Sequence, residues 1–110
     1  MATLYGGGKL FDGEKSLDGH ALLEEGGRIV RVAPAGEFAG FAGQRVDTSG
    51  GTLLPGLIDC HVHSLLGAEG NPGVVQMGLS PAQLTVRGME YMRATLEGGV
   101  TAVRDCGGKD

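Results

Sequence analysis

The chain has 110 residues, which suits one small domain or a part of a larger one. A net charge of −4 without a cluster of Lys or Arg argues against a nucleic-acid-binding face or an anionic-membrane anchor. The sequence shows no charged-then-apolar leader and no apolar run near the ~20 residues that span a bilayer, so a cytoplasmic protein is expected. Its 22 glycines are scattered between apolar runs and indicate many tight turns.

Residues 1–54 are predicted to form short strands joined by turns. Two β-rich runs, His20–Glu25 and Arg28–Ala33, flank the pair Gly26-Gly27 and predict a hairpin, because glycine accepts the positive φ of a two-residue turn. Further extended pieces are expected at residues 2–11, 45–48 and 52–54. The segment therefore predicts a small β-sandwich or sheet.

Residues 55–110 are predicted to contain one βαβ unit. An apolar strand ends at His63, and a helix begins after Ser80, where the order Ser-Pro-Ala-Gln is typical of a capping box. The pair Gly98-Gly99 ends that helix, and Val100–Asp105 forms the next strand. Since a helix separates the two strands, they are expected to be parallel and joined by a right-handed crossover.

The connection between the first strand and the helix, Ser64–Leu79, is predicted to be irregular, because glycines and Asn71-Pro72 interrupt it. A connection of this length beside a candidate site is typically functional or mobile, so it either closes over substrate or is an ordinary link. The strand before it is expected to be buried on both faces. Cys60 and Cys106 are expected to be reduced packing residues, buried or half-buried.

Two histidines carry the candidate chemistry of this chain. His61 and His63 are two positions apart, so a strand places both imidazoles on one face, together with Asp59. Such a pair can bind one divalent ion, and Asp59 is a candidate to orient an imidazole from outside the ligand set. Zinc takes about four ligands, so the spacing alone leaves open that the histidines are ordinary structural residues.

Other charged residues near the strand ends are weaker candidates. Asp105 and Asp110 are the remaining candidate carboxylates. Arg104 and Asp105, at the end of the second strand, are candidates to line a pocket, with an ion pair or a capping role as the alternative.

The run Leu53-Leu-Pro-Gly-Leu-Ile-Asp-Cys-His-Val-His63 resembles the signature of the amidohydrolase superfamily, in the branch of imidazolonepropionase-like and prolidase-like enzymes. The segments Gly26–Val32, Val46–Leu54 and Gly98–Gly108 support that resemblance. It implies an α/β fold, the start of a (β/α)8 TIM-type barrel preceded by part of a small β-sandwich, and incomplete as given. Residues 1–54 would be the sandwich segment and residues 55–110 the first, truncated βαβ unit of the barrel.

The resemblance also implies a function. His61 and His63 would be metal ligands for one or two divalent ions, usually zinc, that activate water to hydrolyse C–N bonds in amides, cyclic amides or dipeptides. The catalytic residues are expected beyond residue 110, and Lys109 is not assigned as the family's bridging lysine. The isolated chain is therefore expected to be inactive. A small-molecule substrate is expected, nucleic acid and membrane partners are not, and homo-oligomerisation stays open.

Two alternatives remain at this point. A non-catalytic amidohydrolase-like scaffold or interaction protein would keep the fold without a full ligand set. A self-contained binding module would use His61 and His63 structurally, but a βαβ unit without closing strands argues against it.

Overall fold

A computed structural model describes residues 1–108 of the chain, which has a mixed α/β structure. The candidate carboxylate Asp110 and the neighbouring Lys109 lie outside the described residues. The chain divides into two compact units, Met1–Pro55 and Gly56–Asp110, which are described separately.

The first unit contains six strands and one 3-10 turn. Its strands are β1 (Ala2–Gly6), β2 (Lys9–Leu10), β3 (His20–Glu25), β4 (Arg28–Pro34), β5 (Gln44–Asp47) and β6 (Thr52–Leu53), with the 3-10 turn at Ala35–Phe38. A four-stranded sheet has the order β4-β3-β1-β5, and β2 pairs with β6 in a second, two-stranded sheet. The predicted hairpin is confirmed: β3 and β4 are antiparallel, and Gly26 and Gly27 have φ values of 61° and 78°.

The core of the first unit lies on one face of the four-stranded sheet. Its buried side chains are those of Leu4, Ala21, Ala33 and Phe38. Arg45 closes this core, since its guanidinium donates to the backbone oxygens of Phe38 and Phe41 at 2.8 and 3.1 Å. The Phe38 carbonyl also accepts from the Phe41 backbone N–H at 3.0 Å, so the Arg45 guanidinium adds a second hydrogen bond at that carbonyl.

The second unit is a strand, two helices and a strand: β7 (Leu57–Val62), α1 (Pro72–Met77), α2 (Pro81–Glu97) and β8 (Val100–Asp105). The parallel pairing of β7 and β8 is confirmed. The capping box is confirmed as well, because the Ser80 hydroxyl accepts from the Gln83 backbone and the Gln83 side chain accepts from the Ser80 backbone at 2.9 Å. Neither α1 nor α2 has the length and apolar content needed to cross a membrane.

Several expectations for the second unit are wrong. The connection at residues 64–79 is not wholly irregular, because α1 forms within it: the Asn71 side chain caps its first turn by accepting from Val74. Burial of β7 on both faces is also contradicted, since Leu57 and Ile58 are 49% and 71% exposed. The described sheet of this unit has two strands, and its two helices leave much of the β7 surface uncovered. The expected packing of Cys60 and Cys106 is also wrong, because both thiols are exposed.

Candidate metal centre

The two parallel strands of the second unit end side by side. Val62 of β7 is in register with Asp105 of β8, and the Cys106 backbone N–H donates to the Val62 carbonyl at 2.8 Å. Because parallel strands bring their C-terminal ends to one edge, the residues that follow β7 and β8 meet there. His63 is the first residue after β7, so this edge holds the histidine pair.

The structure brings the two imidazoles together. The ring centroids of His61 and His63 lie 5.4 Å apart with an interplanar angle of 67°, an edge-to-face arrangement. His61 is exposed and His63 is half-buried, so the pair is accessible from solvent. Among residues 1–108 no group of three or more His, Cys, Asp or Glu side chains is arranged to hold a metal ion. At this edge the described chain brings two imidazoles side by side.

A backbone carbonyl fixes the ring of His63. Its Nδ1 lies 2.6 Å from the carbonyl oxygen of Gly107. A carbonyl oxygen only accepts hydrogen bonds, so Nδ1 carries the proton. In the neutral ring the lone pair is then on Nε2, the nitrogen that remains for a metal ion. This is the arrangement by which an outer hydrogen bond sets the tautomer of a metal-binding histidine.

The Asp105 carboxylate joins the two strand ends. Its Oδ1 accepts from the Gly107 backbone N–H at 2.8 Å, and its Oδ2 accepts from both the backbone N–H, at 3.3 Å, and the hydroxyl of Ser64. The Ser64 hydroxyl first, then the Gly107 N–H, lower the pKa of Asp105 from its ordinary value. Asp105 is therefore held as an anion between the segments that follow β7 and β8.

The other two predicted residues contact the strand backbone. Asp59 Oδ1 accepts from the backbone N–H of His61 at 3.0 Å, so this carboxylate binds the main chain rather than an imidazole. Arg104 Nε donates to the Cys60 carbonyl at 2.8 Å and links β8 to β7. Both side chains thus brace the strand that carries the histidines.

Helix α2 holds the turn that follows His63. The Leu66 N–H donates to the His63 carbonyl at 2.9 Å, which closes the turn. Leu65 and Ser64 approach Gly88 of α2 so closely that a Cβ there would lie 2.7 Å from Leu65 Cδ2 and 3.2 Å from the Ser64 oxygen. The turn is therefore packed against the helix at a position without a side chain.

A polar cluster fixes the same segment a few residues later. Glu69 Oε1 accepts from the Arg87 guanidinium at 2.6 Å and from the Tyr91 hydroxyl at 2.8 Å. A Cβ at Gly67 would lie 2.4 Å from both the Tyr91 hydroxyl and Glu69 Oε2, so a larger residue there would displace these side-chain ends. Residues 64–69 are thus attached to α2 at two points.

Comparison with known proteins shows which family this chain belongs to. An imidazolonepropionase from Chromobacterium violaceum is 36% identical over 93 residues, which cover 81% of this chain and 21% of that protein. The crystal structure of a prolidase complexed with N-methylphosphonate-L-proline matches with a TM-score of 0.78 and 34% identity, over 100% of this chain and 27% of the prolidase chain. The chain belongs to the amidohydrolase superfamily. It falls in the imidazolonepropionase-like and prolidase-like branch.

A further relative lies in the same superfamily. Adenine deaminase 3 from Rhizobium johnstonii is 44% identical over 50 residues, which cover 46% of this chain and 8% of the deaminase. No protein-family model matches the chain. This amidohydrolase-superfamily chain spans about a fifth of the length of the imidazolonepropionase and about a quarter of the prolidase chain that it matches.

Sequence reasoning missed two residues at this edge of the amidohydrolase-superfamily chain. Ser64 contributes a hydroxyl and a backbone N–H, and Gly107 contributes a carbonyl and a backbone N–H. Ser64 had a usable signal, because it directly follows the histidine pair. Gly107 had none, since every residue carries a carbonyl and residue type does not reveal where it points.

Proposed function

We propose that His61 and His63 are two ligands of a divalent metal in a hydrolase that acts on C–N bonds. The observation that carries the proposal is the hydrogen bond from His63 Nδ1 to the Gly107 carbonyl, beside the ring of His61. It leaves Nε2 as the metal-binding atom of His63. The metal is a divalent ion, and zinc is the one that imidazole donors favour in hydrolases of this kind.

The residues present fit such an ion as a partial ligand set. The two imidazoles are adjacent, accessible and attached to a strand, which orders them at little further entropic cost. Zinc takes about four ligands, so two imidazoles account for about half of its coordination sphere. The rest, including the groups that move protons during catalysis, are proposed to lie beyond residue 110.

The roles of this chain's own residues follow from their contacts. His61 and His63 bind the ion, and a bound divalent metal supplies Lewis acidity and a more acidic water. Asp59 holds the backbone of His61 in place. Arg104 ties β8 to the carbonyl of Cys60 and so fixes the strand pair beneath the site.

The fold proposed for the complete enzyme is a (β/α)8 barrel with a small β-sandwich. Residues 1–54 would contribute to the sandwich, and residues 55–110 would form the first βαβ unit of the barrel. Support comes from the parallel β7–β8 pair and from the position of the histidines at its C-terminal edge, where barrel enzymes place their sites.

The substrate class is proposed from the relatives. An imidazolonepropionase and a prolidase match the chain, and this supports a small-molecule substrate with a C–N bond in an amide, cyclic amide or dipeptide. The match to an adenine deaminase supports C–N bond hydrolysis in general. Residues 1–110 alone are proposed to be inactive, because two ligands do not complete the site.

Metal analysis of the complete protein that contains this chain tests the proposal. We expect one or two divalent ions per chain, and we expect a His61→Ala, His63→Ala double variant to lose at least one of them. His20→Ala is the matched control, because Nδ1 of His20 also lies 2.9 Å from a carbonyl, that of Asp18, but in the first unit. Elemental analysis after chelator-free purification gives the content.

Hydrolysis assays with dipeptides and cyclic amides complete the test. Activity should fall with chelation, return with added zinc, and be absent from the double variant. Unchanged metal content in the double variant would show that the ligand assignment is wrong. Metal binding without hydrolysis of any C–N substrate would instead favour the non-catalytic homologue.

A further inference from the structure

We propose that Asp105 is a positioning residue for His63, an inference that rests on the proposed metal site. Among the described residues, no hydrogen bond joins the Asp105 carboxylate directly to the imidazole. Asp105 holds instead the glycine whose carbonyl binds the His63 ring, and the serine that follows His63 in the chain. The result is a fixed ring with one defined nitrogen directed to the metal.

The two carboxylate oxygens of Asp105 contact segments that follow different strands. Oδ1 binds the backbone N–H of Gly107, which follows β8, at 2.8 Å. Oδ2 binds the backbone N–H and the hydroxyl of Ser64, which follows β7. One rigid carboxylate therefore sets the separation of the two segments. His63 lies between them, covalently attached to Ser64 and hydrogen-bonded to Gly107.

Gly107 needs such a restraint. Its φ is +96°, a conformation that side chains rarely adopt, and a glycine in a chain segment loses more conformational freedom on ordering than any other residue. Its N–H and its carbonyl belong to successive peptide groups, so fixing the N–H limits the directions that the carbonyl can take. Release of the Asp105 contact would let the Gly107 carbonyl turn away from His63 Nδ1.

Occupancy of the carboxylate argues against Asp105 as a metal ligand itself. Its two oxygens already accept three hydrogen bonds from Ser64 and Gly107. A carboxylate has about four lone-pair directions, so little accepting capacity remains. Asp105 thus acts on the metal through His63. Loss of such an outer contact typically weakens metal binding by about 10–100-fold.

The test compares two aspartates that each accept from a backbone N–H two residues later and from a serine hydroxyl. Asp47 Oδ1 accepts from the Ser49 backbone N–H at 2.9 Å and its Oδ2 from the Ser49 hydroxyl at 3.0 Å, but Asp47 lies in the first unit. In the complete protein, Asp105→Asn should weaken zinc binding by about 10–100-fold in a competition titration with a chromophoric chelator. Asp47→Asn should leave zinc affinity within about twofold of the parent under the same comparison.

A second readout does not depend on metal or activity. Nitrogen-15 shifts of the metal-free protein distinguish Nδ1–H from Nε2–H tautomers, and the His63 signal is the one that disappears in His63→Ala. We expect Nδ1–H in the parent and a mixture or the Nε2–H form in Asp105→Asn. Ser64→Ala, which removes one of the three hydrogen bonds, should shift the tautomer less and serves if Asp105→Asn fails to fold.

The outcomes separate this inference from the proposed function. An unchanged tautomer and unchanged zinc affinity in Asp105→Asn, with metal still lost in His63→Ala, would overturn the positioning role alone. Equal weakening of zinc binding in Asp105→Asn and Asp47→Asn would also overturn the positioning role, because the effect would then not be specific to the surroundings of His63. A protein without zinc whose His63 tautomer changes in Asp105→Asn would support the positioning contact and refute the metal site.

Discussion

The glycine at the centre of α2 provides a sharp test of how the histidine turn is packed. Gly88→Ala adds one methyl group to a helix interior, where alanine is favoured over glycine by about 1 kcal/mol. Against that gain, the new Cβ would lie 2.7 Å from Leu65 Cδ2 and 3.2 Å from the Ser64 carbonyl oxygen. The Leu65 methyl can rotate away, but the Ser64 oxygen belongs to the backbone and cannot.

The balance of these two effects determines whether Gly88→Ala raises or lowers the free energy of unfolding. Overpacking of a well-packed contact typically costs about 1–3 kcal/mol, which exceeds the helix-propensity gain over most of that range. We expect Gly88→Ala to lower the free energy of unfolding by about 1 kcal/mol, measured by urea denaturation of the complete protein with far-UV circular dichroism as the signal.

A second helical glycine is the matched control. Gly73 lies in α1, and a Cβ added there would lie 4.0 Å from Asn71 Oδ1, an ordinary contact distance. Gly73→Ala should therefore be neutral or stabilising by up to about 1 kcal/mol. If Gly88→Ala stabilised the protein as much as Gly73→Ala, the close packing of the histidine turn on α2 would be refuted.

Two further expectations concern the same unit. Ser80→Ala removes the hydroxyl of the capping box and should lower the unfolding free energy by about 1 kcal/mol in urea denaturation, and an unchanged midpoint would show that the cap contributes nothing. The Tyr91 hydroxyl first, and also the Arg87 charge, lower the pKa of Glu69 below its ordinary value of 4.5. The Glu69 carboxylate therefore stabilises the fold above that pH, and this contribution is lost as the pH falls through the pKa of the folded state. Glu69→Gln should flatten the acid side of a stability–pH curve, and an unaltered slope would contradict the assignment.

Local patterns in the sequence predicted the secondary structure well where one residue type determines the backbone. The hairpin follows from Gly26-Gly27, because both positions have positive φ, and the start of α2 follows from the reciprocal bonds of Ser80 and Gln83. The same kind of signal was misread at α1. Asn71-Pro72 was interpreted as a sign of irregular structure, although asparagine before proline is also a helix cap followed by a first helical residue.

Only the side chains of the candidate site could be predicted from the sequence. Spacing indicated that His61 and His63 share a face, and their rings are adjacent in the structure. Their role as metal ligands stays a prediction. The Gly107 carbonyl could not be predicted, because its position depends on a contact 44 residues away along the chain. The prediction that β7 is buried on both faces was wrong. An apolar sequence shows that a strand can be buried, but it does not show which other elements pack against it.

Residues 64–69 are attached to α2, and this divides the connection between β7 and α2 into two parts that differ in how well they tolerate a change of length. The part from Ser64 to Glu69 has a fixed length, because the Gly88 contact and the Arg87–Glu69 ion pair set both of its ends. Residues 70–79 come after the last of these attachments. Insertions directly after Glu69 can lengthen the connection without changing these two attachments, so variation in loop length there is compatible with a constant histidine geometry.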